Sequence, residues 1–169
     1  MARMFFNEIE AARIAQDMEK NGLAFYQRAA GKAQSPDVRA VFLELADDEK
    51  QHLASFAELE EALRARDPSD VPAEGDDQTG AYIAQLLKTR VFGDAGAVVR
   101  LADEAARDVE ALAVGMKAER DSIVFYREMI DFVDSKLARD AFTAILNEER
   151  RHLTILGQRG QQHGWRIGS

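Results

Sequence analysis

Two Glu-x-x-His pairs, Glu49–His52 and Glu149–His152, stand 100 residues apart in a chain of 169 residues that has only three histidines. On a helix, residues three apart share a face, so each pair can present a carboxylate and an imidazole to one point. The recurrence extends beyond the pairs. Displaced by 100 residues without a gap, MEKNGLAFY (18–26) lies on AERDSIVFY (118–126), and FLELADDEKQHL (42–53) lies on FTAILNEERRHL (142–153). Glu19 thereby matches Glu119, and Tyr26 matches Tyr126. The repeated unit is a helical hairpin used twice, which implies a pseudo-twofold axis and a point on it shared by both halves.

These polar residues fall on the apolar stripes of their helices. At spacing three or four, the first helix reads Ile9, Ala12, Gln16, Glu19, Leu23, Tyr26, and the second Val38, Phe42, Leu45, Glu49, His52, Phe56. The third reads Leu112, Met116, Glu119, Ile123, Tyr126, and the fourth Leu137, Ala141 or Phe142, Ile145, Glu149, His152, Leu156. Such stripes face inward. Each uncompensated buried carboxylate costs several kcal/mol, so the four must protonate, pair with cations or bind metal. The nearby Lys20, Lys50, Arg120 and Arg150 fall on other faces. Two divalent ions balance four carboxylates with both histidines neutral. Oxygen-rich ligation with one imidazole per ion suits iron or manganese, and zinc is compatible. A hydrogen-bonded core network without metal is the other reading of the same residues. Tyr26 and Tyr126, two turns from Glu19 and Glu119, read either as core aromatics or as partners of a ligand carboxylate. His163 reads as solvated in the tail, and Glu10 and Glu110, off the stripe, as surface charges.

Long stretches rich in Ala, Leu, Glu and Arg and poor in Gly and Pro supply the helices that must position these groups. The first is expected over about 5–32. Ser35–Pro36–Asp37 then reads as an N-cap, an N1 proline and a first-turn acid opening a second helix to about Arg66, where Asp67–Pro68 stops it. Residues 67–80 read as a solvated loop, 81–92 as a short amphipathic piece, and a helical pattern resumes near Asp94. A third long helix is expected over about 107–133. Asp134–Ser135 caps a fourth, over about 136–156, and the polar, glycine-rich tail after it is expected to fray. Short turn, long crossover, short turn describes an all-α four-helix bundle with one crossover. The bundle would occupy 1–157, with the crossover at about 67–106 and a flexible tail at 158–169.

Composition narrows the function classes. With no cysteine, the chain has no disulfide, thiol nucleophile, cysteine-bound zinc or iron–sulfur cluster. Thirty acidic against 22 basic residues, net charge −8, argues against nucleic acid as a partner. No apolar run approaches the roughly 18 residues of a membrane span, and the start lacks a secretory signal, so a cytoplasmic location is expected.

A glutamate on each of two helices with Glu-x-x-His on each of the other two resembles the ferritin-like di-iron carboxylate proteins. EKNGLAFY and ERDSIVFY, with DDEKQH and NEERRH, look most like the rubrerythrin branch. The resemblance covers about 5–66 and 107–156. It implies Glu19, Glu49, His52, Glu119, Glu149 and His152 as ligands of two iron ions, with Glu49 and Glu149 bridging. It also implies that Asp48 and Glu148, each preceding a bridging glutamate, support a histidine of the opposite half. Two departures stand out. The cysteine-ligated rubredoxin domain is absent, and the family's extra glutamate one turn after the third-helix ligand is replaced by Ser122, mirrored by Gly22. The site is accordingly expected to resemble a ferroxidase centre, oxidising Fe(II) with dioxygen or hydrogen peroxide, with an external electron donor for turnover. A homodimer is the expected assembly. The alternatives are an iron-storage or compartment-cargo protein and a metal-free helical interaction module.

Overall fold

A computed structural model describes residues 7–66 and 94–165. Among them the chain forms helices α1 (Glu8–Lys32), α2 (Pro36–Arg66), α3 (Ala95–Glu104), α4 (Asp108–Phe132) and α5 (Lys136–Gln162), with no strand. Phe5, the solvated loop expected at 67–80 and the amphipathic piece expected at 81–92 lie outside the described residues. No helix is long and apolar enough to cross a membrane among the described residues.

Local chemistry sets the helix starts. Asn7 Oδ1 accepts from the Glu10 N–H at 2.9 Å, and the Glu10 carboxylate accepts from the Asn7 N–H, closing a capping box on α1. Glu110 repeats the arrangement on α4 by accepting from the N–H groups of Ala106 and Arg107. The pair read as surface charges thus satisfies helix N-termini. Asp94 caps α3 through the N–H groups of Gly96 and Ala97, and the Ser135 hydroxyl accepts from the Ala138 N–H at α5.

Helix α1 packs along α2, and α4 along α5, giving the two hairpins. They are clasped at both ends by residues of the repeat. Glu8 accepts from the N–H groups of Asp134 and Ser135 and from the Ser135 hydroxyl. Asp108, 100 residues on, accepts from the N–H groups of Gln34 and Ser35. Each hairpin therefore holds the other's turn with a carboxylate at the start of its own first long helix. Arg39 and Arg139 mirror each other too, donating to the carbonyls of Ala33 and Val133.

Two apolar clusters fill the bundle. One holds Phe25, Tyr26, Phe42, Leu45, Leu112 and Leu156; the other holds Ile9, Phe56, Tyr126, Met129, Phe142 and Ile145. Along every long helix the switch from one cluster to the other falls at the polar residues of the stripe: Glu19, Glu49–His52, Glu119 and Glu149–His152. The centre of the bundle is a polar layer between two dry ones.

Three expectations are corrected. The last helix does not end near Leu156 but continues to Gln162. Trp165 folds back on it, its ring so close to Gly160 that an added Cβ would come within 2.9 Å. His163 is not free in solvent: its Nε2 lies 2.9 Å from Asp37 Oδ2, which also accepts from Arg159 at 2.6 Å. At the start of α5 the inward position is Ala138, and Leu137 is exposed, because Ala138 stands four residues before Phe142 and continues the helical period while Leu137 stands five before it.

Candidate metal centre

The four glutamates and two histidines of the repeat meet in the polar layer. Glu19, Glu49, Glu119, Glu149, His52 and His152 are all buried, none more than 4% exposed. Two fully buried sets of donor atoms lie within 4.8 Å of one another: Glu19, Glu49, His52 and Glu149 in one, Glu49, Glu119, Glu149 and His152 in the other; a third joins both histidines to the exposed Glu148. Glu49 and Glu149 are common to both. His52 Nδ1 is 3.2 Å from Glu149 Oε1 and 3.3 Å from Glu19 Oε2. His152 Nδ1 is 3.4 Å from Glu149 Oε2, 3.5 Å from Glu49 Oε1 and 3.6 Å from Glu119 Oε1. The imidazoles stack with centroids 5.4 Å apart.

Tyr26 and Tyr126 sit beside this layer and cross between the halves. The Tyr26 hydroxyl donates to Glu119 Oε1, and the Tyr126 hydroxyl donates to Glu19 Oε1. Each tyrosine is thus joined to the glutamate of the other hairpin, not to the one two turns before it on its own helix. The bonds leave Oε2 of both glutamates without a partner.

Asp48 and Glu148 differ. Asp48 Oδ2 lies 3.2 Å from His152 Nε2, a carboxylate–imidazole contact to the opposite half. Glu148 comes within 4.8 Å of His52 without a hydrogen bond to it, and accepts instead from Arg151 Nε at 3.1 Å. Arg151 also donates to Glu44 Oε1 at 3.1 Å and to Asp48 Oδ2. Arg151 was not marked out by the motif. Its signal is a break in the repeat, since residue 51 is glutamine. Ser122 and Gly22, where a further glutamate would stand, are both buried.

The electrostatics state the problem this layer poses. Burial, followed by repulsion from Glu19 and Glu149, raises Glu49 well above the ordinary carboxylate range. Burial and then Glu149 do the same to Glu119. Burial pulls His52 down, but the carboxylates of Glu149 and Glu19 outweigh it and push it up to about 10. Burial acts on Glu149 too, yet Glu119 and the two histidines hold it below the usual range. Burial, then the neighbouring carboxylates, also drives both tyrosines upward, so their hydroxyls keep their protons. Without a cation, protons must neutralise the cluster.

Protons leave the geometry incomplete. Glu19 Oε2, Glu49 Oε1, Glu119 Oε2, His52 Nδ1 and His152 Nδ1 are buried polar atoms with no hydrogen-bond partner. Five unpartnered donors and acceptors at one point would each cost about 1–3 kcal/mol. All five are on residues of the two donor sets. Carboxylate oxygens and one imidazole nitrogen per set are the ligands that divalent iron, manganese or zinc accepts, so the residues present fit a pair of such ions.

Residues 4–67 match the rubrerythrin family model. Over this segment the chain is similar to rubrerythrins. The match covers the first hairpin, and the second repeats its glutamates and histidine at the 100-residue displacement. Comparison with curated proteins finds no match. Among solved structures, a DUF305 fragment from Deinococcus radiodurans superposes with a TM-score of 0.66, covering 92% of this chain and 95% of that one at 12% identity. At that identity the likeness concerns the helical fold alone.

Proposed function

We propose that this chain is a dinuclear iron protein that oxidises Fe(II) with dioxygen or hydrogen peroxide. The observation that carries the reading is the pair of overlapping buried donor sets sharing Glu49 and Glu149. Glu19 and His52 would complete one ion's ligands, Glu119 and His152 the other's, with Glu49 and Glu149 spanning both. A bound iron pair supplies two one-electron centres, so that one hydrogen peroxide with two protons gives two waters as two Fe(II) become two Fe(III).

The chain's own residues prepare that chemistry. Tyr126 and Tyr26 hold one oxygen of Glu19 and Glu119, fixing which oxygen is left for an ion. Asp48 holds His152 Nε2, so the nitrogen facing the carboxylates is Nδ1. Phe42, Leu45, Phe142 and Ile145 close the layer above and below, keeping out bulk water. An external electron donor would restore Fe(II) between turnovers.

Anaerobic Fe(II) titration followed by air or peroxide tests the reading. Two ferrous ions bound per chain and a fast rise of near-ultraviolet ferric absorbance are expected. Absence of binding, or oxidation no faster than Fe(II) alone in buffer, would overturn it. A metal-free core network would share the tyrosine–glutamate bonds and the close histidine–carboxylate approaches, but in this arrangement five buried atoms stay outside hydrogen-bond geometry.

A further inference from the structure

The repeat makes the inner ring of donors symmetric, and the residues behind it are not. Arg151, at 42% side-chain exposure, spreads its planar guanidinium over three carboxylates: Nη1 to Glu44, Nη2 to Asp48 and Nε to Glu148. The contact with Asp48 falls on Oδ2, the same oxygen that faces His152 Nε2. The contact with Glu148 engages the one carboxylate placed to do for His52 what Asp48 does for His152. Across the pseudo-twofold axis the clamp has no counterpart. Gln51 stands at Arg151's place and turns its amide back to the Asp47 carbonyl of its own helix at 3.3 Å, and Ala144 stands at Glu44's.

The consequence for the two histidines is physical. His152 is wholly buried, with its outer nitrogen held by a carboxylate that is itself anchored, so the ring orientation is set in advance and Nδ1 is the nitrogen turned to the donor set. His52 has no such partner on its outer nitrogen among the described residues. An imidazole already fixed loses less rotational freedom on binding an ion than one that must be fixed by it. Arg151's own charge is offset by the three carboxylates around it, so its effect on an incoming cation is through position.

We infer that Arg151 is a positioning residue that makes the two halves of the centre unequal. It presses Asp48 onto His152 and withholds Glu148 from His52, so the donor set containing His152 fills before the set containing His52. This rests on the dinuclear reading above. Removing the clamp acts on both halves in opposite senses, because Asp48 loses its anchor while Glu148 becomes free to reach His52.

Calorimetric titration of the full chain with Co(II), paralleled by proton NMR of the paramagnetic complex, tests it. The native chain should bind two Co(II) in two steps roughly tenfold or more apart, the range over which histidine-supporting carboxylates act on metal affinity. The first equivalent should bring out one shifted, slowly exchanging imidazole N–H signal, lost in Asp48→Asn. In Arg151→Gln the total should stay at two while the steps draw together and the early signal weakens. Arg151→Lys, which restores the charge but not the three-way fork, should recover the gap only in part. Two Co(II) with a gap that Arg151→Gln leaves unchanged, or an early signal indifferent to Asp48→Asn, would overturn this inference and spare the dinuclear reading. A native chain that binds no Co(II) and no Fe(II) would overturn both. Arg151 is exposed, so its variants test metal binding in a folded chain, which circular dichroism verifies.

Discussion

At the scale of single residues, the centre is a set of acids that cannot all be ionised where they stand. Glu49 is the clearest case, because burial and two neighbouring carboxylates favour its protonated form in the absence of metal. A glutamine has nearly the shape of a protonated glutamate. Glu49→Gln should therefore leave the melting temperature in chelator unchanged, and at the same time reduce bound Fe(II) from two ions per chain towards one. A large loss of stability in chelator would show that Glu49 is ionised and paired in the metal-free protein. Tyr26 presents the opposite balance. Tyr26→Phe removes the donor to Glu119 and leaves a buried oxygen unsatisfied, at a cost of about 1–3 kcal/mol in urea unfolding of the chelated protein. No change would mean that Glu119 finds another partner.

At the scale of elements, the carboxylates at 8 and 108 carry the joining of the two hairpins. Glu8 alone engages two backbone N–H groups and a hydroxyl at the 134–135 turn. Glu8→Ala should cost about 1–2 kcal/mol by urea unfolding, the range for losing a cap with charge-assisted bonds. Asp108→Ala, which frees the 34–35 turn at the other end, should cost a similar amount, and the two should add because they share no partner. Strong non-additivity would show that the hairpins are not clasped independently. The helices themselves were legible in the sequence. Ser35–Pro36–Asp37 and Ser135 mark their starts, and the apolar period marks their inner faces. The end of α5 was not, because Gly157 and Gly160 read as breakers. Gly160 instead gives Trp165 room to lie against the helix, a contact between residues whose pairing no local propensity reports.

At the scale of the whole molecule, metal and pH both act on stability. Two ions bound only by the folded chain must stabilise it, by about 2.7 kcal/mol for each ion held at 100 times its Kd. Anaerobic Fe(II) should accordingly raise the melting temperature and chelator should reverse the rise; indifference to both would leave a metal-free helical module. One pH effect lies apart from the centre, at the end of α5. Hydrogen bonds from His163 and then Arg159 lower Asp37 from 3.8 to about 2. A carboxylate lowered on folding adds stability above its unfolded value and loses it as pH falls through the folded one. The stability advantage of the native chain over Asp37→Asn should thus be constant near neutrality and shrink between about pH 4 and pH 2. An advantage that persists at pH 2 would mean the bond does not depend on the ionised carboxylate.

The sequence by itself determined which residues are held in common by the two halves: Glu19 with Glu119, Glu49 with Glu149, His52 with His152, each at the helical spacing that turns it inward. That much follows from a period and a repeat, both properties of the linear chain. Tertiary structure alone decided how the halves touch. It crossed Tyr26 to Glu119 and Tyr126 to Glu19, set Asp48 against His152, and gave Glu148 to Arg151 instead of His52. The tyrosine and Asp48 contacts join residues 93 to 107 positions apart, where the distance between side chains depends on the packing of four helices at once; Glu148 and Arg151 are neighbours on one helix, but the reach of Arg151 to Asp48 is set the same way.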